Sequence, residues 1–486
     1  MKRSKFSLSH TKLYSCNMGL LIPSGIIEVL PGDTIQQKTN CVTRFAPMLA
    51  PVMHPTHVYI SHWFVPHRIV WEDWEDFITG GEDGLDASVF PTVTVNGVNG
   101  DLSDYLGVPP GVTDLEVSAL PFRGYALIYN EWFRDQDLQN EAALSLASGA
   151  DSTTSQGLQF VNWEKDYFTS ARPFETKGPS ISVPVGGTAP VTGDVTTTFQ
   201  RAGSATNLRA SELGANAEVE ATASGAQNDP VTAVSTLTNA EADLAGASSV
   251  AVNVLREALA LQRFQEARAR FGSRYVEYLR YLGVRSSDAR LTRPEFLSGG
   301  RYPVQFSEVL QTAEGTNPVG ELRGHGIGVA RSNRYRRFFE EHGYIFTMTH
   351  VRPKTIYAQG LFRHWNRRNK EDFFQKELAH IGQQEVLNKE VYAAHSTPDG
   401  TFGYQDRYDE YRRTESSVSG EFRDVLDFWH FARQFSSDPA LNATFVRASV
   451  TENPFAVPSQ DVLYMKAIHS IQGRRIVPKK GTSYIL

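Results

Sequence analysis

The sequence predicts a mainly β fold, an antiparallel sandwich of the jelly-roll type with long helical and loop insertions. Segments rich in β-branched and aromatic residues lie near both ends of the chain, at 24–66, 344–353 and 440–450. Long connections of different character separate them, which suits a sheet whose first and last strands are far apart in sequence. The order of segments does not alternate strand and helix, so a parallel α/β sheet is disfavoured.

The first β segment, 24–66, contains a Pro-Gly-Asp turn at 31–33. Thr34, Gln36 and Lys38 follow it and alternate with more apolar neighbours, as expected for a half-buried strand. Residues 53–66 then supply the β-branched and aromatic side chains that suit a pleated surface.

Helical periodicity predicts helices at 71–78, 123–140, 254–270 and 273–283. Gly80 is expected to end the first helix, and Gly272 to kink or end the third. Asn253 is the expected N-cap of that third helix.

Residues 181–250 differ in composition from the rest of the chain. Phe199 is their only aromatic residue, and Ala, Gly, Thr and Ser dominate. A segment of this kind buries little apolar surface by itself. We therefore expect a surface insertion, partly strand and partly flexible loop.

The composition of the 486-residue chain is that of a folded soluble protein, with 41% hydrophobic and 21% charged residues. A net charge of −6 argues against a protein that coats nucleic acid with its whole surface. Cys16 and Cys41 form neither a disulfide framework nor a zinc motif, and we expect both to be reduced. Pro23 and Gly25 interrupt the N-terminal apolar run, which argues against a signal peptide or a membrane span.

Metal-binding and cofactor-binding patterns are weak. His54, His57, His62 and His67 lie close in sequence, but strand geometry sends His57 and His62 to opposite faces. Polar core or interface histidines are therefore favoured over zinc ligands. The glycine-rich segment 324–330 lacks the spacing of a dinucleotide-binding loop, and a turn beside a strand is favoured.

Carboxylates cluster at 72–76 and 415–424. A glycosidase needs two of them at a fixed separation in a cleft, and charged helix surfaces explain them more simply. The sequence contains no nucleophile-elbow, metalloprotease or phosphate-loop motif. We expect no catalytic residue, no metal and no cofactor.

Basic patches at 331–339, 361–370 and 471–481 are more informative. The first two interleave arginines with aromatic residues, a mixture that suits single-stranded nucleic acid because guanidinium groups pair with phosphates and rings stack on bases. Ion pairing between subunits uses the same residues and is an equal alternative for those two. The candidate contacts with nucleic acid or a packaging protein are Arg336, Arg337, Arg367, Arg368, Arg474, Arg475, Lys479 and Lys480.

The segment 163–179, WEKDYFTSARPFETKGP, places acidic, basic and phenolic side chains beside two prolines. It could be an active site or a stiff connector that contacts a neighbouring chain. Prolines lower the entropy lost on fixing such a connector, and its charges can set the register of a partner, so the connector is favoured. The candidate subunit-interface residues are Lys165, Asp166, Tyr167 and Phe174.

Several long segments also carry a family resemblance, namely 31–81, 125–136, 163–179, 255–300 and 303–315. They resemble the major capsid protein of the Microviridae, small tailless phages with circular single-stranded DNA, and are most similar to its gokushovirus-like branch. The resemblance fades across 181–250 and returns weakly near the C-terminus.

The resemblance implies an eight-stranded antiparallel jelly roll, in one capsid domain over 1–486 with strands near 20–70, 165–180, 300–360 and 440–480. Sixty copies would form a T=1 icosahedral shell around the genome, assembled in the bacterial host cytoplasm. The implied partners are a small basic DNA-binding packaging protein, a pilot or minor virion protein and a host cell-surface receptor.

The resemblance further makes 181–250 a threefold protrusion that meets the host, followed by a helical insertion at 251–300. The candidate attachment residues are Thr197, Phe199 and Asn228. A trimeric phage adhesin and a β-sandwich carbohydrate-active enzyme are the alternatives.

Overall fold

The computed structural model describes residues 3–179, 181, 191–201, 207–208, 231–242, 252–272, 274–310, 312 and 320–479, and within 191–242 the backbone alone. The chain forms two compact units. The larger unit contains Met1–Lys177 and Glu266–Leu486, and the smaller contains Gly178–Gln265. The predicted insertion 181–250 falls within the smaller unit, and its placement at the surface stays a prediction.

The strands are β1 (Ser4–Ser7), β2 (His10–Cys16), β3 (Ile22–Val29), β4 (Thr34–Phe45), β5 (Thr56–Pro66), β6 (Thr92–Val95), β7 (Leu115–Ser118), β8 (Val191–Arg201), β9 (Asn207–Leu208), β10 (Val231–Ala242), β11 (Glu295–Pro303), β12 (Gln305–Leu310), β13 (Leu322–Arg331), β14 (Tyr335–Phe338), β15 (Gly343–Pro353), β16 (Gln383–Leu387), β17 (Thr401–Asp406) and β18 (Leu463–Arg475). The α-helices are α1 (Trp74–Thr79), α2 (Leu102–Leu106), α3 (Leu120–Ile128), α4 (Val252–Phe271), α5 (Tyr275–Tyr281), α6 (Asn388–Val391) and α7 (Ala443–Val446). None of the helices in the described ranges is long and apolar enough to cross a bilayer.

Two antiparallel sheets of the larger unit have jelly-roll order. In the first sheet β2, β18, β4 and β13 lie side by side, with β1 also beside β18, β14 also beside β4, and β12 beyond β13. In the second sheet the order is β3, β15, β5 and β11. Followed along the chain, these eight main strands move between the sheets as two interleaved Greek keys do. The predicted mainly β, antiparallel jelly-roll fold is confirmed.

Side-chain alternation places the core between the two sheets. Every second residue of β4 from Ile35 to Phe45 is buried, and β18 alternates in the same way along most of its length. β5 and β15 are instead buried on both faces, because the helical segment around α3 covers the outer side of their sheet. Phe122 and Phe346 are among the side chains packed there.

The smaller unit, described by itself, contains an antiparallel pair. β8 pairs with β10 from Val191↔Ala242 to Arg201↔Val231, with one register shift, and β9 pairs with the end of β8.

Several boundaries differ from the sequence prediction. Residues 440–450 were predicted as a strand, and this is wrong, because Asn442 accepts a hydrogen bond from the Phe445 backbone N–H at 2.9 Å and caps the helical turn α7. No strand is assigned to the described part of 165–180, where side chains close local turns. α4 begins at Val252, so Asn253 lies inside the helix and is not its N-cap.

The first two helical predictions are correct in type but not in extent. Gly80 caps the end of α1, and its φ of 90° is a left-handed conformation that glycine adopts without strain. The helix expected over 123–140 begins earlier and continues as a π-helical turn, Tyr129–Phe133. α5 follows Gly272 as predicted.

Candidate nucleic-acid interface

The solvent-facing side of the first sheet brings together basic residues from both ends of the chain. Lys5 lies opposite Arg474, and Arg474 lies opposite Thr34 on its other side. Arg336 lies opposite Gln36 in the same sheet. Residues directly opposite each other project from the same face of a sheet, so Lys5, Arg336 and Arg474 share one face.

These side chains line an open groove. With Arg3 and Lys479 they contribute five cations to it, and the remaining lining residues are Ser4, Thr34, Gln36, Gln472 and Pro478. Among the described residues, no carboxylate lines this groove. Arg3 donates to the backbone oxygen of Gly32 at 2.9 Å, which fixes the N-terminal end of the groove.

Further cations continue along the same face of the sheet. Lys38, Arg44 and Lys466 project from it because they keep the alternation of β4 and β18, and Arg331 lies opposite Asn40. None of these four forms an ion pair with another described residue. We call the whole set the basic face. It consists of Arg3, Lys5, Lys38, Arg44, Arg331, Arg336, Lys466, Arg474 and Lys479.

Adjacent residues of a strand project from opposite faces of the sheet, so Arg336 and Arg337 are separated, and so are Arg474 and Arg475. Arg475 points away from the groove, and its Nε lies 3.0 Å from Oδ2 of buried Asp33. Arg337 likewise lies on the opposite face from Arg336 and pairs with Glu295 at 2.9 Å. The predicted contacts Arg336, Arg474 and Lys479 are thus brought together, whereas Arg337 and Arg475 pair with carboxylates away from the groove, and their contact with nucleic acid stays a prediction. Lys480 lies outside the described residues.

The patch at 361–370 is not part of the groove. Arg367 lies 3.4 Å from Glu410, and its guanidinium group is 4.3 Å from the centre of the Tyr411 ring. Arg368 is exposed, and its backbone N–H donates to Asp372 at 2.7 Å. Arg367 therefore has acidic and aromatic partners within its own chain, and a nucleic-acid contact by these two arginines stays a prediction.

The candidate interface residues of 163–179 make contacts within the chain. Lys165 pairs with Asp135 at 2.5 Å, and Arg172 pairs with the same carboxylate at 3.1 Å. Although burial opposes ionisation of Asp135, these two cations lower its pKa to about 2. Asp166 accepts hydrogen bonds from the backbone of Thr169 at 2.7 Å and from the Tyr357 hydroxyl at 2.9 Å. Asp166 thus closes a local turn, while Lys165 pairs with a carboxylate from another segment of the same chain.

Tyr167 is buried in this region, and Phe174 is half-buried beneath the ammonium group of Lys177. Glu415 accepts a hydrogen bond from the Tyr167 backbone N–H at 3.0 Å. Burial, together with the nearby Asp166 carboxylate, raises the pKa of Glu415 to about 7. A role of these residues in subunit contacts stays a prediction.

The histidines belong to the polar part of the core. His62 Nδ1 lies 3.0 Å from the Thr347 hydroxyl, which also accepts from Gln37 at 2.9 Å. His469 lies 2.9 Å from the Thr39 hydroxyl. Burial lowers the pKa of His62 to about 3 and that of His469 to about 4.

The other three sequence-neighbouring histidines also have protein surroundings. His54 and His67 are buried, which lowers their pKa values to about 4, and His57 is half-buried. Within the described residues, no three His, Cys, Asp or Glu side chains are grouped to hold a metal ion.

The candidate host-attachment residues belong to the smaller unit, and their role stays a prediction. Thr197 and Phe199 lie in β8, where the backbone alone is described, and Asn228 lies outside the described residues. Sequence reasoning missed Arg3 and Lys5, which belong to a basic N-terminal segment, and it missed Lys38, Arg44 and Lys466, which are isolated cations on strands. Their period-two placement on strands is the signal that could have identified them.

Comparison with known proteins gives a consistent result over nearly the whole chain. Residues 1–485 match the family described as capsid protein (F protein). The chain is 36% identical over 472 residues to capsid protein VP1 of Bdellovibrio phage phiMH2K, covering 92% of this chain and 88% of that protein. It is 31% identical over 547 residues to capsid protein VP1 of Chlamydia phage 1, covering 95% and 92%. Capsid protein VP1 of Spiroplasma virus 4 is 33% identical over 488 residues, covering 92% and 87%.

Proposed function

Because the chain belongs to the capsid protein (F protein) family and is a major capsid protein of the Microviridae, we propose that sixty copies close a T=1 icosahedral shell around a circular single-stranded DNA genome. As a capsid protein it is a structural component of the virion and not an enzyme. The jelly roll supplies the wall of the shell, and the long insertions supply surface for contacts between copies.

The basic face is proposed to point towards the genome. Its cations come from five different strands and from the flanking residues Arg3 and Lys479, yet they lie together on one side of one sheet. Such a surface attracts a phosphate backbone without reading its sequence, as a shell around a whole genome requires. The rest of the chain is acidic enough to bring the net charge to −6, so we propose that a small basic packaging protein neutralises much of the remaining phosphate.

Genome content tests this orientation. We expect the variant Lys5→Gln, Arg336→Gln, Arg474→Gln to form particles that contain less DNA, because three of the five groove cations are lost. The matched control Lys354→Gln, Lys376→Gln, Arg423→Gln removes the same charge from exposed positions outside the basic face and outside the patch 361–370. DNA per particle is measured by the ratio of absorbance at 260 and 280 nm after nuclease treatment. Equal DNA in the two variants would contradict the assignment.

The smaller unit is proposed to serve host attachment through the predicted threefold protrusion. Deleting 195–240 should leave shell formation intact while infection and adsorption to cells are lost. Failure to assemble would show instead that the segment is needed for the shell. The pilot or minor virion protein and the receptor stay predictions, as does assembly in the host cytoplasm.

A further inference from the structure

We propose that neighbouring subunits meet through two complementary surfaces of the larger unit, the acidic surface 72–89 of one copy and the arginine–tyrosine surface 271–290 of the next. The inference rests on the proposed shell, and it identifies which parts of the chain join one copy to another.

The acidic surface combines strong charge with exposed apolar side chains. Residues 72–89 contain seven Asp and Glu residues and no Lys, Arg or His. None of the seven forms an ion pair with a residue in the described part of the chain. Leu85 is 78% exposed, and the other exposed apolar side chains of this surface are Phe77, Ile78 and Val89.

The arginine–tyrosine surface has the opposite charge and the same mixture. Arg280, Arg285 and Arg290 are exposed and have no ion pair among the described residues. Tyr275 is 66% exposed, and the neighbouring exposed apolar side chains are Phe271, Tyr278, Tyr281, Leu282 and Val284.

The polar contacts of α5 hold this helix with its aromatic residues outward. Arg274 donates to the backbone oxygen of Glu131 at 2.8 Å, and Gln136 donates to Glu277 at 2.9 Å. Glu277 also accepts from the backbone N–H of Arg274 at 3.1 Å and so closes the start of the helix. Arg274 and Glu277 thus fix the start of α5, while Tyr275, Tyr278 and Tyr281 stay exposed to a partner. Tyrosine and arginine are the residues most enriched where protein partners bind.

A second copy of the chain satisfies both surfaces at once. The phosphates of nucleic acid could pair with the arginines. The acidic surface would repel nucleic acid, however, and would remain without a cationic partner. Contact between copies pairs the two charges and covers both sets of apolar side chains. Because the surfaces are different parts of one chain, the contact is head-to-tail, the kind that closes into rings around a symmetry axis.

Reversal of charge tests the pairing directly. We expect Glu75→Lys, Asp76→Lys, Glu82→Lys to lower the yield of shells by about tenfold or more, and Arg280→Glu, Arg285→Glu, Arg290→Glu to do the same. Combining the two sets restores opposite charge, so the yield should return to within about threefold of the wild type. The matched control Lys370→Glu, Lys376→Glu, Arg423→Glu should leave the yield unchanged.

The outcomes separate this inference from the proposed shell. Wild-type yield in either single set, or a combined variant no better than its parents, would overturn the inference while leaving the shell itself standing. Arginine reversal that removes packaged DNA but not shells would assign that surface to nucleic acid. A wild-type chain that forms no shell at all would overturn the proposed function.

Crosslinking provides a measurement that does not depend on the yield of the reversed variants. Glu82→Cys combined with Arg285→Cys should give a ladder of disulfide-linked oligomers from oxidised shells, because each copy then contacts two neighbours through different residues. The native Cys16 and Cys41 are buried and add little background. The single-cysteine variants are the controls. Absence of the ladder from intact double-cysteine shells would overturn the inference.

Discussion

Replacement of Arg474 by glutamine and replacement of Arg475 by glutamine should affect different properties of the protein, although the two residues are adjacent. Arg474 faces the groove, where it lies between Lys5 and Thr34 in the sheet. Arg475 lies against Asp33 and donates to the backbone oxygen of Glu28. We predict that Arg474→Gln weakens binding of single-stranded DNA and that Arg475→Gln lowers the stability of the subunit.

The size of each effect follows from the surroundings. For single-stranded DNA, a plot of the logarithm of the binding constant against the logarithm of the salt concentration has a slope of about −0.7 for each phosphate neutralised. Five groove cations give a slope of about −3.5, and Arg474→Gln should reduce it to about −2.8. Asp33 is 0% exposed and the Arg475 side chain 16% exposed. Loss of Arg475 should therefore cost about 2–3 kcal/mol, below the roughly 3–5 kcal/mol for a fully buried pair.

Two assays on isolated subunits separate the variants. Fluorescence anisotropy of a labelled oligonucleotide at several NaCl concentrations gives the slope, and urea titration gives the free energy of unfolding. Arg474→Gln should change the free energy of unfolding by less than about 0.5 kcal/mol. The opposite pattern, with stability lost in Arg474→Gln and the salt slope reduced in Arg475→Gln, would refute the assignment of faces in β18.

Three further predictions concern stability in urea titrations. The free energy of unfolding should fall as the pH drops from about 6.5 towards 4, because buried His62 has a pKa of about 3 and is protonated more readily in the unfolded chain; His62→Gln should flatten this fall, and an unchanged profile would contradict it. Glu415 has a folded pKa of about 7, so its contribution is greatest when it is protonated and is lost as the pH rises from about 4.5 through 7. Glu415→Gln should consequently be more stable than the wild type at pH 8, and lower stability there would refute this sign. Arg123→Leu should cost about 3–5 kcal/mol because it leaves the buried Asp151 carboxylate without its cation, and adding Asp151→Asn, which removes the charge but keeps an oxygen for the backbone N–H groups of Thr153 and Thr154, should recover part of the loss; a double variant less stable than the single one would count against this explanation.

The sequence predicted strands both in β4, where burial alternates, and in β15, which is buried on both faces. In β4 and β15 the β-branched and aromatic pattern matched the strands found, whereas at 440–450 a local cap by Asn442 outweighed β propensity. The basic face was only partly predicted, because its members come from β1, β4, β13, β14, β18 and the flanking residues, and strand register alone brings them together. Nor could the sequence show that Asp33, more than four hundred residues before Arg475, is its partner.

The mass of the assembled particle tests the central claim most directly. We would produce the chain with the viral genome and companion proteins and measure particle mass by light scattering after size-exclusion chromatography. Sixty copies of the 54.1-kDa chain predict a closed particle with about 3.2 MDa of protein. A monomer or trimer as the only species under these conditions would contradict the claim that this protein acts by enclosing a genome.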